Sequence, residues 1–248
     1  TMLSLAKMVP TAISSLMGTV VGVFNPQITI AYAEDNTENL VKIIKSCNRI
    51  LIFIMSIPIA FLTAYGRDFY AMWQPTKDAD MLQRLSLLAV GVLYVSMSIQ
   101  VLYHVFIITK KVKWNSLVIL GSGVLSSCLS LLLLKTTDLG VMVFPLSSML
   151  TGLLRNLIFT PIYAARCLKI RWNRFYGDIL LGWISIGSIV ILGNLSRMVF
   201  PVDSWIKLIL TGVVMGPLAL ALNFLIILRK EEREMVIGML KSRLKGAK

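Results

Sequence analysis

The feature that most constrains this chain is a pair of long apolar segments joined by a short basic turn. Residues 82–109 and 115–134 carry little charge, and the turn between them contains Lys110, Lys111 and Lys113. About 20 consecutive apolar residues cross the roughly 30 Å hydrocarbon core of a bilayer as a helix. The pattern therefore predicts a hairpin of two membrane-spanning helices. Because Lys and Arg are enriched in cytoplasmic loops, we expect the turn to face the cytoplasm.

The composition indicates the same class of protein. Of the 248 residues, 56% are hydrophobic and 15% are charged, whereas soluble domains carry about 25% charged residues. This composition excludes a soluble helical protein and predicts an integral membrane protein. The net charge is +13. We interpret the basic residues that cause it as orientation signals and as contacts with anionic lipid headgroups, because they lie in short loops and near the C-terminus. We therefore expect no nucleic acid partner.

Seven segments are predicted to cross the bilayer. A short amphipathic helix at 38–49 precedes the second of them, and residues 66–75 form the longest predicted loop before the tail. The predicted spans are residues 12–33, 50–65, 85–109, 115–134, 141–163, 178–197 and 206–228. The predicted fold class is thus all-α, a polytopic membrane helical bundle of about seven transmembrane helices. Residues 229–248 are predicted to form a basic amphipathic tail.

The distribution of basic residues predicts the orientation of the bundle. Most of the 25 Lys and Arg residues lie in the loops after the first, third and fifth spans and in the tail. Few lie in the loops on the opposite side. The positive-inside rule then places the C-terminus in the cytoplasm and the N-terminus across the membrane.

Arg155 is the strongest candidate for a functional side chain, because it lies well inside the fifth predicted span. Eight residues separate it from Tyr163, which is about 12 Å along a helix. A charge at this depth costs roughly 2.5 kcal/mol or more unless it faces water or a partner. Two interpretations remain open: Arg155 lines a path for an anionic substrate, or its side chain reaches the cytoplasmic headgroups. Asn156 is predicted to point to a different face.

A second polar group lies in the third predicted span. Gln100 and His104 are four residues apart and would share one face of an α-helix, with Ser96 and Tyr103 beside them. His104 is the single histidine of the chain and titrates near neutral pH when unperturbed. This stripe either lines a cavity or forms hydrogen bonds with a neighbouring helix.

Two prolines mark candidate kinks or hinges inside predicted spans. Asn25 and Gln27 flank Pro26 in the first span, and Pro58 lies in the middle of the second. Proline removes one backbone hydrogen bond and bends a helix. The polar residues around Pro26 are interpreted either as a kink beside a cavity or as a kink for packing.

The other polar residues of the spans predict structural roles. Asn194 and Arg197 lie near the outer end of the sixth span and are expected at the membrane interface, and Asn223 in the last span predicts a bond between helices. The sequence contains no HExxH motif, Cys/His cluster, phosphate-binding glycine loop or nucleophile motif. We therefore expect no enzymatic activity, catalytic residue, metal or cofactor, and interpret Cys47, Cys128 and Cys167 as packing residues.

The order of these features resembles the C-terminal half of bacterial polysaccharide flippases, the Wzx-like members of the multidrug/oligosaccharidyl-lipid/polysaccharide exporter superfamily. No single motif is specific, and the resemblance depends on their order and spacing. The matching segments are the proline motif at 24–28, the acidic loop and helix at 34–43, Pro58 with the aromatic stretch at 70–73, the basic turn at 110–114 and the glycine turn at 138–141.

The resemblance implies about 12 to 14 helices in two lobes around a central cavity, of which about seven are present here. Residues 1–174 would form a partial C-terminal lobe with about five spans, and residues 175–228 two additional helices. The chain is then expected to be a piece of a longer transporter. The N-terminal lobe would come from the rest of that chain or from a partner subunit.

The function implied by the resemblance is export or flipping of a lipid-linked oligosaccharide or polysaccharide precursor by alternating access across the bacterial plasma (inner) membrane. The cavities of the family carry cations that face the substrate pyrophosphate, and Arg155 is the residue that inherits this role. Gln100, His104, Asn25 and Gln27 are the other expected cavity-lining residues. The implied partners are the lipid bilayer, the lipid-linked oligosaccharide and the absent lobe.

Two other functions are considered. A multidrug exporter of the same superfamily would favour acidic cavity residues for cationic drugs, but the predicted spans hold no deep Asp or Glu. A seven-helix receptor would fit the number of spans and an external N-terminus. A retinal protein, however, needs a lysine deep in its last span, and Lys207 lies only at the edge of that span.

Overall fold

A computed structural model describes residues 1–228 and Arg233. Within these residues, every regular element is a helix. The α-helices are α1 (Met2–Ala33), α2 (Thr37–Trp73), α3 (Ala79–Gly91), α4 (Leu93–Ser96), α5 (Leu102–Ile108), α6 (Val112–Thr136), α7 (Val143–Leu154), α8 (Thr160–Cys167), α9 (Tyr176–Val199) and α10 (Trp205–Ile226). A 3-10 turn, Gly140–Met142, precedes α7, and a π-helical turn, Arg155–Phe159, joins α7 to α8.

Seven helical segments of the described residues are long and apolar enough to cross a membrane. They are α1, α2, the α3–α4 segment Ala79–Ser96, α6, the segment Gly140–Cys167, α9 and α10. The all-α fold class and the polytopic bundle are therefore confirmed. The predicted tail at 229–248 lies outside the described residues except for Arg233. The division into residues 1–174 and 175–228 stays a prediction.

Helix α2 merges three predicted elements. It runs without interruption for 37 residues, about 55 Å, so the separate amphipathic helix at 38–49 and the loop at 66–75 were wrong. The Asn36 side chain caps its start by accepting a hydrogen bond from the Asn39 N–H at 3.0 Å. No glycine or proline lies between Asn36 and Pro58 to end the helix. Helix α2 therefore extends beyond the roughly 30 Å apolar core of a bilayer.

The third predicted span is divided rather than continuous. Between α4 and α5 the backbone N–H groups bond three residues back, as from Tyr103 to Gln100 (3.3 Å) and from His104 to Val101 (3.1 Å). This is 3-10 geometry, with three residues per turn instead of 3.6. Residues three apart then line up, whereas residues four apart are rotated by about 120°.

The fifth span widens at its centre. In the π-helical turn, the N–H of Thr160 bonds to the carbonyl of Arg155, five residues earlier. Pro161 follows at once, and a proline ring clashes with the carbonyl four residues before it and donates no hydrogen bond. That carbonyl, of Leu157, instead accepts a hydrogen bond from the Tyr176 hydroxyl at 2.7 Å. The proline thus explains why the helix widens at this position.

Helix α2 lies at the centre of the bundle and packs against α1, α3, α9 and α10. The contact with α9 is close at Gly193, where an added Cβ would lie 2.9 Å from the Ala64 Cβ. Asn223 of α10 accepts a hydrogen bond from the Ser185 hydroxyl (2.6 Å) and donates one to the Ser56 hydroxyl (2.7 Å). The predicted bond between helices at Asn223 is therefore confirmed.

Candidate functional site

A polar cavity of about 290 Å³ lies beside the π-helical turn. Helices α1, α4, α5 and α6 and the turn itself contribute its walls. The lining residues are Ser14, Met17, Val92, Leu93, Ser96, Gln100, Tyr103, Ile119, Arg155 and Asn156. Two of the predicted site residues, Arg155 and Gln100, thus line the cavity.

Arg155 lies near the middle of its candidate span, Gly140–Cys167. It lies about 18 Å along the helix from Cys167, the end of its span, and its side chain is half-buried. Its Nη1 donates to the Ser122 hydroxyl of α6 at 3.4 Å, and its Nε donates to the Asn156 carbonyl oxygen at 3.4 Å. The side chain therefore reaches across to α6 rather than along its own helix toward the headgroups.

Asn156 connects the cavity wall to α4 and α5. It is 1% exposed. Its amide nitrogen donates to the Ser96 hydroxyl at 2.7 Å, and its carbonyl oxygen accepts from the Tyr103 hydroxyl at 2.9 Å. The prediction that Asn156 points to a different face was wrong, because both side chains line the cavity and the Arg155 Nε contacts the Asn156 carbonyl oxygen. Asn156 fixes both Tyr103 and Arg155 at the cavity.

The charge of Arg155 is not neutralised by a carboxylate in the described part of the chain. The ion pairs there include those of Lys42 with Glu38, Arg67 with Asp80, Arg197 with Asp68 and Lys207 with Asp203, and none of them involves Arg155. A guanidinium without a carboxylate partner, in a site of low dielectric, attracts an anion strongly. Its planar donors match the oxygens of a phosphate or carboxylate group. The cavity is therefore suited to an anionic group.

Gln100 and His104 do not share a face. Gln100 lines the cavity together with Tyr103, as three-residue spacing in the 3-10 segment requires. His104 turns toward α1, where its Nε2 lies 2.9 Å from the Thr29 hydroxyl oxygen. The Thr29 hydroxyl donates its proton to the Asn25 carbonyl at 2.8 Å, so the His104 Nε2 is the donor to Thr29.

The remaining predicted site residues lie outside the cavity lining. The Asn25 carbonyl accepts a hydrogen bond from Thr29, the residue that His104 contacts. Gln27 is exposed. Pro26 and Pro58 lie inside the continuous helices α1 and α2, and their role as hinges stays a prediction. His104, Asn25 and Gln27 also stay predictions as substrate-binding residues.

Other polar residues have structural partners. Arg197, predicted to be interfacial, donates to the Asp68 carboxylate and to the Ala64 carbonyl, both at 3.0 Å. It thus joins the C-terminal ends of α9 and α2. The described residues contain no cluster of His, Cys, Asp or Glu that could hold a metal ion. Among the cysteines, Cys47 and Cys167 are buried and Cys128 is exposed.

The fold and the cavity together define a multi-pass membrane protein with a cationic side chain near the middle of one candidate span. The chain is similar to EpsK, an uncharacterized membrane protein of Bacillus subtilis (strain 168), with 26% identity over 235 residues. The match covers 92% of this chain and 45% of EpsK, so the chain spans less than half the length of that relative. No family model matches the chain, and no solved structure matches it.

Proposed function

We propose that this chain is part of a transporter that flips a lipid-linked oligosaccharide or polysaccharide precursor across the membrane. The observation that carries the proposal is Arg155, a half-buried cation at mid-membrane depth that lines a polar cavity. Charged residues inside a membrane are costly and are found where they serve a transport pathway or a ligand. The diphosphate of a lipid-linked sugar has the charge and the oxygen atoms that a guanidinium binds.

The proposed binding mode follows from the cavity walls. Arg155 donates to the diphosphate oxygens through the part of its guanidinium that Ser122 and Asn156 leave free. The Gln100 amide also lines the cavity and can donate to phosphate, whereas the Tyr103 hydroxyl, whose proton goes to Asn156, can only accept a hydrogen bond, for example from a sugar hydroxyl. The lipid tail stays in the bilayer while the headgroup occupies the cavity.

The rest of a longer transporter would complete this cavity. The chain corresponds to less than half of EpsK, and three of its candidate spans, α1, α6 and α10, are largely exposed. Only 22% of the most apolar stretch of α1 and 6% of that of α6 are buried. Since both helices line the cavity, a second lobe packed on them would form its other wall. Alternating access by rocking of the two lobes is the proposed mechanism.

The proposed location is the bacterial plasma membrane, with the C-terminal end in the cytoplasm. The basic turns after α5 and α8 lie at the same end of the bundle, because the Tyr163 hydroxyl donates to the Lys111 carbonyl at 3.1 Å. The loop after α1 also lies there, since Asp35 and Lys169 line one cavity. This clustering of basic turns supports the cytoplasmic assignment.

A multidrug exporter is the second candidate function. A cationic drug needs an acidic partner, and the described residues place no Asp or Glu in the lining of the Arg155 cavity. A receptor of the retinal type is less well supported, because Lys207 in the first turn of α10 forms an ion pair with Asp203 at 2.7 Å. The anionic substrate therefore has the better support.

The test is complementation in a host that lacks the gene for the whole transporter. Arg155→Ala in that transporter should abolish surface glycan and cause its lipid-linked precursor to accumulate. Arg155→Lys should retain part of the glycan, because lysine keeps the charge but not the planar donors. Arg171→Ala, which removes an exposed cation from a loop, is the matched control. Normal glycan in the Ala variant at equal expression would overturn the proposal.

A further inference from the structure

We propose that a groove between α3 and α7 binds one acyl chain of an anionic phospholipid, with the lipid phosphate at Arg84. The groove has a volume of about 700 Å³, and α2 and α9 complete its walls. Its surface is almost entirely apolar. The lining residues are Thr63, Arg84, Leu87, Leu88, Gly91, Tyr94, Val95, Met142, Met149, Leu153, Leu157 and Trp183.

The length of the groove matches one leaflet of a bilayer. On α3 and α4 its wall runs from Arg84 to Val95, which is about 16 Å at 1.5 Å per residue. Half of a hydrocarbon core of roughly 30 Å is about 15 Å. Arg84 lies near the end of the bundle that carries the loop between α2 and α3. The groove therefore begins near the headgroups of that leaflet and ends near the bilayer centre.

The two hydroxyl groups inside the groove already have partners. The Thr63 hydroxyl donates to the Ile59 carbonyl at 2.7 Å, so it accepts the hydrogen bond from the Tyr94 hydroxyl at 2.8 Å. Below Arg84, the wall thus offers a sugar or a peptide few polar groups beyond the Trp183 indole N–H. An acyl chain, which forms no hydrogen bonds, fits this surface.

The charge of Arg84, at the open end of the groove, determines which lipid headgroup binds there. Arg84 is exposed and forms no ion pair within residues 1–228. Asp80, one helical turn earlier, is occupied by Arg67, whose Nε donates to its Oδ1 at 2.6 Å. The cation at the mouth is therefore available to a lipid phosphate, and a basic residue at the membrane surface favours lipids with net negative charge.

The groove is separate from the Arg155 cavity. Helices α3 and α7 meet closely between the two: a Cβ at Gly91 would lie 2.4 Å from the Met149 sulfur, and one at Gly152 would lie 2.9 Å from a Val92 methyl. Met149 and Leu153, on one face of α7, line the groove. Arg155, in the π-helical turn that follows α7, lines the cavity instead. Lipid binding at the groove is thus independent of the proposed transport function.

Quenching of Trp183 by lipids with brominated acyl chains tests the proposal. The chain would keep Trp183 while Trp73, Trp114, Trp172 and Trp205 are replaced by Phe, and it would be placed in phosphatidylcholine nanodiscs. Small amounts of brominated phosphatidylglycerol or brominated phosphatidylcholine are then compared. We expect phosphatidylglycerol to quench at about fivefold lower mole fraction, and Arg84→Gln to abolish this preference.

Lys77→Gln is the matched control, because it removes an exposed cation at the same end of the bundle and should leave the preference unchanged. Equal quenching by the two lipids, no quenching, or the same loss in the Lys77 variant would overturn the proposal. If the single-tryptophan chain does not fold, native mass spectrometry of the unmodified chain gives a second measurement. More phosphatidylglycerol should then remain bound to it than to the Arg84→Gln variant.

Discussion

Arg155 illustrates how a single charged residue determines its surroundings in a membrane. The hydroxyl and amide groups near it come from several helices and surround one cavity. Ser122 already donates to the Ile119 carbonyl at 2.7 Å, so its remaining role is to accept from Arg155. The guanidinium thus keeps its charge while part of its donor set is satisfied by neutral groups.

Asn223 provides a prediction at the residue scale. It is fully buried and contacts α2 and α9 from α10. Asn223→Leu should lower the free energy of unfolding by about 1–2 kcal/mol, because hydrogen bonds between membrane helices contribute roughly 0.6–1.7 kcal/mol each. Unfolding in mixed micelles with increasing SDS measures the change.

Asn194→Leu is the control for this substitution. Asn194 lies on α9 and is exposed, so the same chemical change should alter the free energy of unfolding by less than about 0.5 kcal/mol. Equal losses in the two variants would mean that the Asn223 hydrogen bonds do not hold α10 in place.

At the level of elements, the sequence predicts the number of spans better than their shape. Long apolar runs determine which segments cross the bilayer, so seven spans and their order could be predicted. The continuity of α2 could not, because Arg49 and its neighbours are equally compatible with an interfacial helix. Only the surrounding helices show that this segment continues into the second span.

The two irregular segments explain which site residues could be predicted. A period of 3.6 residues was assumed for the third and fifth spans, so Gln100 was grouped with His104 and Asn156 was separated from Arg155. The 3-10 segment separates Gln100 from His104, and at the π-helical turn Arg155 and Asn156 line one cavity. Pro161 is the one signal for the second irregularity, since a proline inside a span must disturb its backbone hydrogen bonds. The place of Arg155 well inside the fifth span, by contrast, could be predicted from the sequence alone.

At the scale of the whole molecule, the proposed orientation can be measured directly. With the three cysteines replaced by serine, Lys77→Cys and Lys110→Cys place single thiols at exposed positions in loops on opposite sides. A membrane-impermeant maleimide is added to spheroplasts, whose cell wall has been removed and whose plasma membrane is intact. It should label position 77. It should label position 110 only after the membrane is permeabilised. The reverse pattern would contradict the cytoplasmic assignment of the basic turns.

The central claim is that Arg155 binds the diphosphate of a lipid-linked substrate. The most direct test is to measure the dissociation constant of a polyprenyl diphosphate from the whole transporter in nanodiscs. Arg155→Ala should weaken binding at least about tenfold, since hydrogen bonds to charged groups contribute roughly 1.5–3 kcal/mol. The exposed Arg171→Ala variant should bind as the unmodified protein does. If Arg155→Ala binds the diphosphate as tightly as that control, the account of this cavity is contradicted.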